Sequence, residues 1–121
     1  MLFGVRAVRG YSGEGTRGDA LQSELTIGLA DELKVAPLGV GAWAWGSTRL
    51  WGYGKKYNCS DVGKAFRASM AEGITLFDTA EMYGNGASEK IIGEILREGG
   101  FEGTPVIATN RWFVDVGEEA Q

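Results

Sequence analysis

Asp78 and Tyr83 are the side chains whose types and spacing point most directly to chemistry. Asp78 ends a short apolar run, ITLFD, and Tyr83 follows in a polar loop. If that run is a buried parallel strand, both side chains lie at the mouth where strand ends converge. A phenol has an ordinary pKa near 10 and is a weak acid and a poor base at neutral pH. Acid or base work by Tyr83 would therefore require a neighbouring cation.

Other roles for these residues stay open on spacing alone. Asp78 could cap a turn, and Tyr83 could be a half-buried packing aromatic. Glu81 adds a second carboxylate, so a hydrolase based on Asp78 and Glu81 is a further hypothesis. The triplet of Gly84, Asn85 and Gly86 is too short for a dinucleotide fingerprint and predicts a turn.

The composition excludes several classes of site. The sequence of 121 residues contains no histidine, which rules out histidine-based triads and histidine metal sites for this chain acting alone. We expect no metal. A single cysteine, Cys59, cannot form an internal disulfide and is interpreted as an incidental thiol. The formal net charge of -4 argues against nucleic acid as a partner. No apolar run approaches the roughly 20 residues of a membrane span.

The first residues differ in character from the rest. Residues 1–22 hold Arg6, Arg9 and Arg17 against few acids, together with hydroxyl side chains, a pattern shared with organelle transit segments. The alternatives are a flexible N-terminal tail and a transit segment. The corresponding locations are the cytoplasm and the chloroplast or plastid stroma.

From residue 23 onward the pattern alternates between strands and helices. Two short segments around residues 30–31 predict a hairpin, and residues 35–40 predict the first core strand. Ser60 is the expected N-cap of a helix over residues 61–72. A second helix is expected to begin near Ser88 and to end at Gly99 and Gly100. The intervening buried strands are residues 74–78 and residues 105–109.

Buried strands separated by helices predict parallel pairing through right-handed crossovers, and therefore an α/β fold. Three such strands and two helices can neither cover a sheet on both faces nor close a barrel, which takes about 250 residues. We expect residues 23–121 to form a truncated domain that corresponds to part of a larger fold.

Three pieces of this sequence together resemble one enzyme family. The stretch FDTAEMYGNGASEKIIGEIL resembles the aldo-keto reductase signature, and ELKVAPLGVGAWAWG and GITLFD are similar to the pieces that precede it. The resemblance implies part of a (β/α)8 TIM barrel. It also implies an oxidoreductase that reduces a small-molecule carbonyl substrate with NADPH.

The resemblance also implies roles for individual residues. It makes Tyr83 the general acid that protonates the carbonyl oxygen and Asp78 its electrostatic partner, which also touches the cofactor ribose. Gly41, Ala42 and Trp43 would lie along the NADP(H) cofactor.

The family's lysine follows an Ile-Ala-Thr run, and in VIATNRW that position is Asn110. The family's histidine would lie beyond Gln121. A neutral amide cannot stabilise a developing tyrosinate as an ammonium does. Arg111 should point to the opposite face and not substitute. The chain is therefore expected to be impaired or inactive. The alternative is a non-catalytic remnant that binds a cofactor, or a protein partner that covers the open barrel edge.

A long loop rich in glycine and aromatic residues follows the first strand. Trp45 and Trp51 are the candidate walls of a substrate pocket, and Trp43, Tyr53 and Tyr57 lie on the same loop. The alternative is that these rings only pack beneath the loop.

Overall fold

From residue 39 to residue 111, the strands and helices alternate along the chain as the sequence pattern predicts. The computed structural model describes residues 2–7, 27–30 and 33–111. Its strands are β1 (Leu2–Ala7), β2 (Ile27–Ala30), β3 (Leu33–Val35), β4 (Gly39–Gly41), β5 (Leu76–Ala80) and β6 (Val106–Arg111). Its helices are α1 (Cys59–Ala71) and α2 (Ala87–Glu98), with a short 3-10 turn at Tyr83–Gly86. None of these helices has the length and apolar character needed to cross a membrane.

The main sheet has the order β1-β6-β5-β4. Strands β4, β5 and β6 are parallel, with Gly41 in register with Asp78 and Ala80 with Asn110. The parallel α/β architecture predicted from the sequence is confirmed, and it is compatible with part of a barrel. The closed TIM barrel itself stays a prediction.

Strand β1 pairs antiparallel with the outer side of β6 along its whole length, from Leu2 opposite Arg111 to Ala7 opposite Val106. A strand was not predicted here, because residues 1–22 were interpreted as a tail or a transit segment. Residue 1 and residues 8–22 of that range lie outside the described part of the chain, so the division at residue 23 stays a prediction.

The predicted hairpin is present, with β2 and β3 paired antiparallel. The first core strand differs from the prediction, since residues 35–40 are divided between β3 and β4. Leu33–Val35 belongs to the two-stranded hairpin and Gly39–Gly41 joins the main sheet. Pro37 lies between them and cannot donate a backbone hydrogen bond, which suits a break between two ladders.

Asn58, not Ser60, caps helix α1. The Asn58 side chain accepts hydrogen bonds from the backbone N–H groups of Ser60 and Asp61, and the Asp61 carboxylate accepts one from the Asn58 N–H. This reciprocal pair is a capping box, with aspartate in place of the commoner glutamate. The prediction of Ser60 as the cap was wrong because both residues are good caps and sequence does not rank them.

The two helices cover one face of the sheet. Phe66 of α1 stacks on Phe77 of β5 with ring centroids 4.1 Å apart, and both rings are fully buried. Ile91, Ile92 and Ile95 supply the buried side of α2, as their spacing predicted. The remaining buried residues of this core are Ala42, Trp45, Val62, Met70 and Ile107.

Arg67 ties the two helices together at one end. Its Nε donates to the Gly99 carbonyl at 2.9 Å, and its Nη2 lies 3.1 Å from the Glu98 carboxylate. A cation at a helix C-terminus satisfies carbonyls that have no partner within the helix and opposes the negative end of the dipole. The end of α2 is thereby held against α1.

We predict that Asn58→Ala lowers the free energy of unfolding by about 1 kcal/mol, because the first turn of α1 loses its cap. Ser60→Ala is the matched control, since its hydroxyl makes no part of the observed capping box, and it should change stability by less than about 0.5 kcal/mol. Urea denaturation followed by circular dichroism measures both. A larger loss for Ser60→Ala than for Asn58→Ala would contradict the assignment.

Candidate active site

The candidate site is on the sheet face opposite the helices. On β5, Phe77 and Thr79 point towards the helices, so Asp78 points away from them. On β6, Thr109 bonds to Glu89 of α2, so Asn110 also points away. These two side chains therefore lie on one face of adjacent parallel strands, with Asn110 opposite Ala80 at the end of β5 and Asp78 two residues before that end.

Tyr83 lies just beyond the end of β5 in the short turn Tyr83–Gly86. The backbone of Gly84, Asn85 and Gly86 has positive φ angles of 58°, 60° and 87°. A Cβ on Gly84 would come within 2.8 Å of the Gly46 carbonyl oxygen, so the loops after β4 and β5 touch through bare backbone. This close approach fixes the path of the loop that carries the half-buried Tyr83.

A buried hydroxyl pair anchors the end of β4. The Ser88 Oγ donates to the Ala42 carbonyl at 3.0 Å and lies 2.8 Å from the Thr79 Oγ1. The Ala42 N–H donates to the Asp78 carbonyl at 2.8 Å. Both polar groups of Ala42 are therefore bonded, and the backbone leading from Gly41 to Trp43 is held against β5 and α2.

Sequence reasoning did not assign a role to Ser88 or Thr79. Both side chains are almost completely buried, at 0% and 1% exposure. The available signals were a hydroxyl in the middle of the otherwise apolar end of β5 and a serine that opens a helix. Neither signal reveals that the two hydroxyls meet, because nine positions separate them in sequence.

Partial burial raises the pKa of the Asp78 carboxyl above its ordinary value. Burial has this effect because it disfavours the charged form of an acid. The carboxylate therefore sits in surroundings that offer it less solvation than water does. A cationic partner at this point would oppose the shift.

Asn110 occupies the position where the sequence resemblance implies a lysine. Its Oδ1 atom is buried and has no hydrogen-bond partner among the described residues. Its backbone carbonyl accepts a hydrogen bond from the Glu81 N–H at 3.0 Å. A buried acceptor without a donor is costly, so this carboxamide is a point where a donating group would be stabilising.

Glu81 is close to a cation. Its carboxylate lies 4.0 Å from the Arg111 Nε, with both side chains largely exposed. Since Arg111 follows Asn110 directly, it leaves the strand on the opposite face. This pairing gives Glu81 a surface role, which weighs against the hypothesis of a hydrolase that uses Asp78 and Glu81.

The tryptophans of the long loop divide into two groups. Trp45 is buried in the core, with its ring 6.0 Å from Phe77 and 6.4 Å from Phe66. This burial favours the alternative that Trp45 packs beneath the loop over its expected place in a substrate pocket. Trp43 and Trp51 are exposed and meet edge to face with centroids 5.7 Å apart.

Tyr53 and Tyr57 of the loop, and Cys59 at the start of α1, interact with neighbouring parts of the fold. The Tyr57 hydroxyl donates to the Ala44 carbonyl, and the Tyr57 ring packs edge to face on Tyr53. Burial, and then the neighbouring Glu94, raise the pKa of the Cys59 thiol. Within residues 2–7, 27–30 and 33–111 no group of three or more histidine, cysteine or acidic side chains could hold a metal ion.

Comparison with known proteins gives a family match over most of the chain. Residues 37–120 match the model of the aldo/keto reductase family. The chain is 43% identical over 70 residues to the chloroplastic pyridoxal reductase of Arabidopsis thaliana, which covers 54% of this chain and 19% of that protein. It is 36% identical over 77 residues to the aldo-keto reductase YhdN of Bacillus subtilis, which covers 64% of this chain and 22% of that protein.

A more distant relative has a name that points to a different role. A probable voltage-gated potassium channel subunit beta of Arabidopsis thaliana is 28% identical over 81 residues, which is 67% of this chain and 23% of that protein. The chain thus spans only about a fifth to a quarter of the length of these relatives. No solved structure matches it.

We predict that Ser88→Ala lowers the free energy of unfolding by about 1 to 3 kcal/mol, because the Ala42 carbonyl and the Thr79 hydroxyl lose a buried partner. Ser69→Ala is the matched control. Its hydroxyl also donates to a carbonyl, that of Ala65, but at an exposed site, so the loss should stay below about 0.5 kcal/mol. Equal losses for the two variants in urea denaturation would contradict the stabilising role assigned to the buried Ser88 hydroxyl.

We predict that Asp78→Asn stabilises the fold more at neutral than at acid pH. Because the folded-state pKa of Asp78 is raised, the folded chain binds its proton more tightly than the unfolded chain. Stability contributed by this group is therefore lost as the pH rises from the ordinary pKa through the folded-state pKa. Urea midpoints of parent and variant across this range measure the effect, with the exposed Glu102→Gln as control. A variant whose advantage shrinks as the pH rises would contradict the sign.

Proposed function

Because this chain belongs to the aldo/keto reductase family, we propose that it carries the proton-donor end of an NADPH-dependent carbonyl reductase. The observation that carries the proposal is the placement of Asp78 and Asn110 on one sheet face, with Tyr83 in the loop that follows Asp78. This is the arrangement of strand ends from which active sites of parallel α/β folds are built.

The residues around the end of β4 fit a nicotinamide cofactor. A Cβ built on Gly41 would meet nothing within 4 Å, so this backbone is open to a flat ligand. The exposed Asp78 carboxylate is in register with Gly41 and can accept hydrogen bonds from ribose hydroxyls. Gly41, Trp43 and Asp78 are the proposed NADP(H) contacts, and the bound cofactor would supply the hydride. Ala42, which the resemblance also implies, is fully buried and bonded through both of its backbone polar groups, so its proposed role is to position Gly41 and Trp43.

The proposed role of Tyr83 is to donate a proton to the substrate carbonyl oxygen. Asp78 is its proposed electrostatic partner. The position that should stabilise the resulting tyrosinate is Asn110, and a carboxamide provides dipoles but no positive charge. We therefore propose that the site is impaired or inactive as it stands in this chain.

The proposed substrate is a small-molecule carbonyl compound that lies against Trp51, with Trp43 beside it. Their exposed, edge-to-face rings offer apolar surface next to the proposed cofactor contacts. Trp45 takes no part, because it belongs to the core.

A second candidate function is binding of a protein partner without catalysis. It is favoured by Asn110 at the proposed lysine position and by the potassium channel subunits beta among the relatives.

For the location, the plastid and the cytoplasm both stay proposals, and the chloroplastic relative supports the former.

We predict that Gly41→Val weakens NADPH binding about tenfold or more, since a side chain would fill the open space beside Asp78; tenfold corresponds to about 1.4 kcal/mol. Gly28→Val is the matched control, because its Cβ would also meet nothing within 4 Å but lies in the hairpin. Fluorescence titration of the purified chain with NADPH measures both. Absence of any NADPH binding by the parent chain would reject the cofactor proposal and leave partner binding.

We predict no turnover of NADPH by this chain with a panel of aldehydes and ketones. The reason is that Asn110 cannot supply the cation that an acidic phenol needs. The assay follows NADPH absorbance for the parent chain and for Tyr83→Phe. Consumption of NADPH that depends on the substrate and disappears in Tyr83→Phe would overturn the proposed inactivity.

A further inference from the structure

The two edges of the main sheet are unequal. On one side β4 is a strand of only three residues, two of them glycines. On the other side β6 has six residues and would present a full row of backbone donors and acceptors. Long uncovered edges invite pairing with other chains, and very short ones do not. The edge that needs protection is therefore the outer edge of β6.

Strand β1 covers that edge completely. The register runs without a break from Leu2 opposite Arg111 to Ala7 opposite Val106. It includes Phe3 opposite Asn110, so the cover reaches the strand end where the candidate site lies. A right-handed β-α-β progression would place a further parallel strand at this same edge. The two arrangements exclude each other.

β1 is far from its partner β6 in sequence and runs in the opposite direction to it. β1 is antiparallel to its neighbour β6, whereas β4, β5 and β6 run parallel to one another. In addition, β1 and β6 lie at opposite ends of the sequence, so their pairing closes a loop of most of the chain. Loop closure of this kind carries an entropic cost, which the chain recovers when β1 is released.

We propose that the outer edge of β6 is a strand-addition site whose built-in, displaceable occupant is the segment of residues 2–7, and that this occupant excludes a second copy of the chain. Residues 2–7 compete well with a second copy of the chain, because a segment of the same molecule has a high effective concentration. When β1 leaves, two β6 edges can pair with each other through backbone hydrogen bonds, which do not depend on particular side chains. This inference does not depend on the proposed catalytic function.

Neighbouring proline substitutions test the proposal. In an antiparallel edge strand, backbone N–H groups alternate between the partner strand and solvent, so proline is tolerated at every second position. The proposal expects the parent chain to be monomeric, and of Gly4→Pro and Val5→Pro, one should therefore be monomeric as well. The other should approach twice the parent mass as its concentration rises, measured by size-exclusion chromatography with light scattering. If both variants stay monomeric, or if both associate, the proposal is wrong.

A disulfide lock tests displacement without disturbing the fold. Val5 and Ala108 are partners in the register, so Val5→Cys with Ala108→Cys in a Cys59→Ser background should form an internal disulfide. Val5→Cys with Thr109→Cys is the out-of-register control and should form it poorly. A labelled synthetic peptide of residues 1–8 should bind the locked variant only after reduction. Equal binding to the oxidised and reduced forms would show that residues 2–7 do not occupy the peptide site.

Discussion

The buried Ser88 hydroxyl is the contact on which the geometry of the site depends. It joins the carbonyl of Ala42 at the exit of β4 to the hydroxyl of Thr79 on β5, and it does so from the first turn of α2. The Ala42 N–H in turn bonds to the backbone of Asp78. Loss of one hydroxyl would therefore loosen three elements at once, in an interior where unpaired polar groups are costly.

Much of the fold could be predicted from the spacing of apolar residues. Helix α2 could be predicted because Ile91, Ile92 and Ile95 repeat at helical period and Gly99 ends the pattern. The parallel strands could be predicted because buried strands between helices have few alternatives. These inferences use local patterns, which one sequence contains.

What could not be predicted depended on contacts distant in sequence or on choices between equivalent residues. Asn58 and Ser60 are both good caps, and only the backbone geometry selects Asn58. Trp45 and Trp51 belong to one loop, yet only Trp45 meets Phe66 and Phe77. The pairing of β1 with β6 spans nearly the whole chain and leaves no periodic signal in either segment.

The contact between Gly84 and the Gly46 carbonyl limits how this scaffold can vary. Any side chain on Gly84 would collide with fixed backbone, and one on Gly46 would collide with Ala87. Gly46 and Gly84 also have positive φ angles, which side chains rarely adopt. Mutations that change ligand preference would therefore not be tolerated at Gly46 or Gly84. Diversification would have to proceed through positions such as Trp43 and Trp51, whose side chains are exposed.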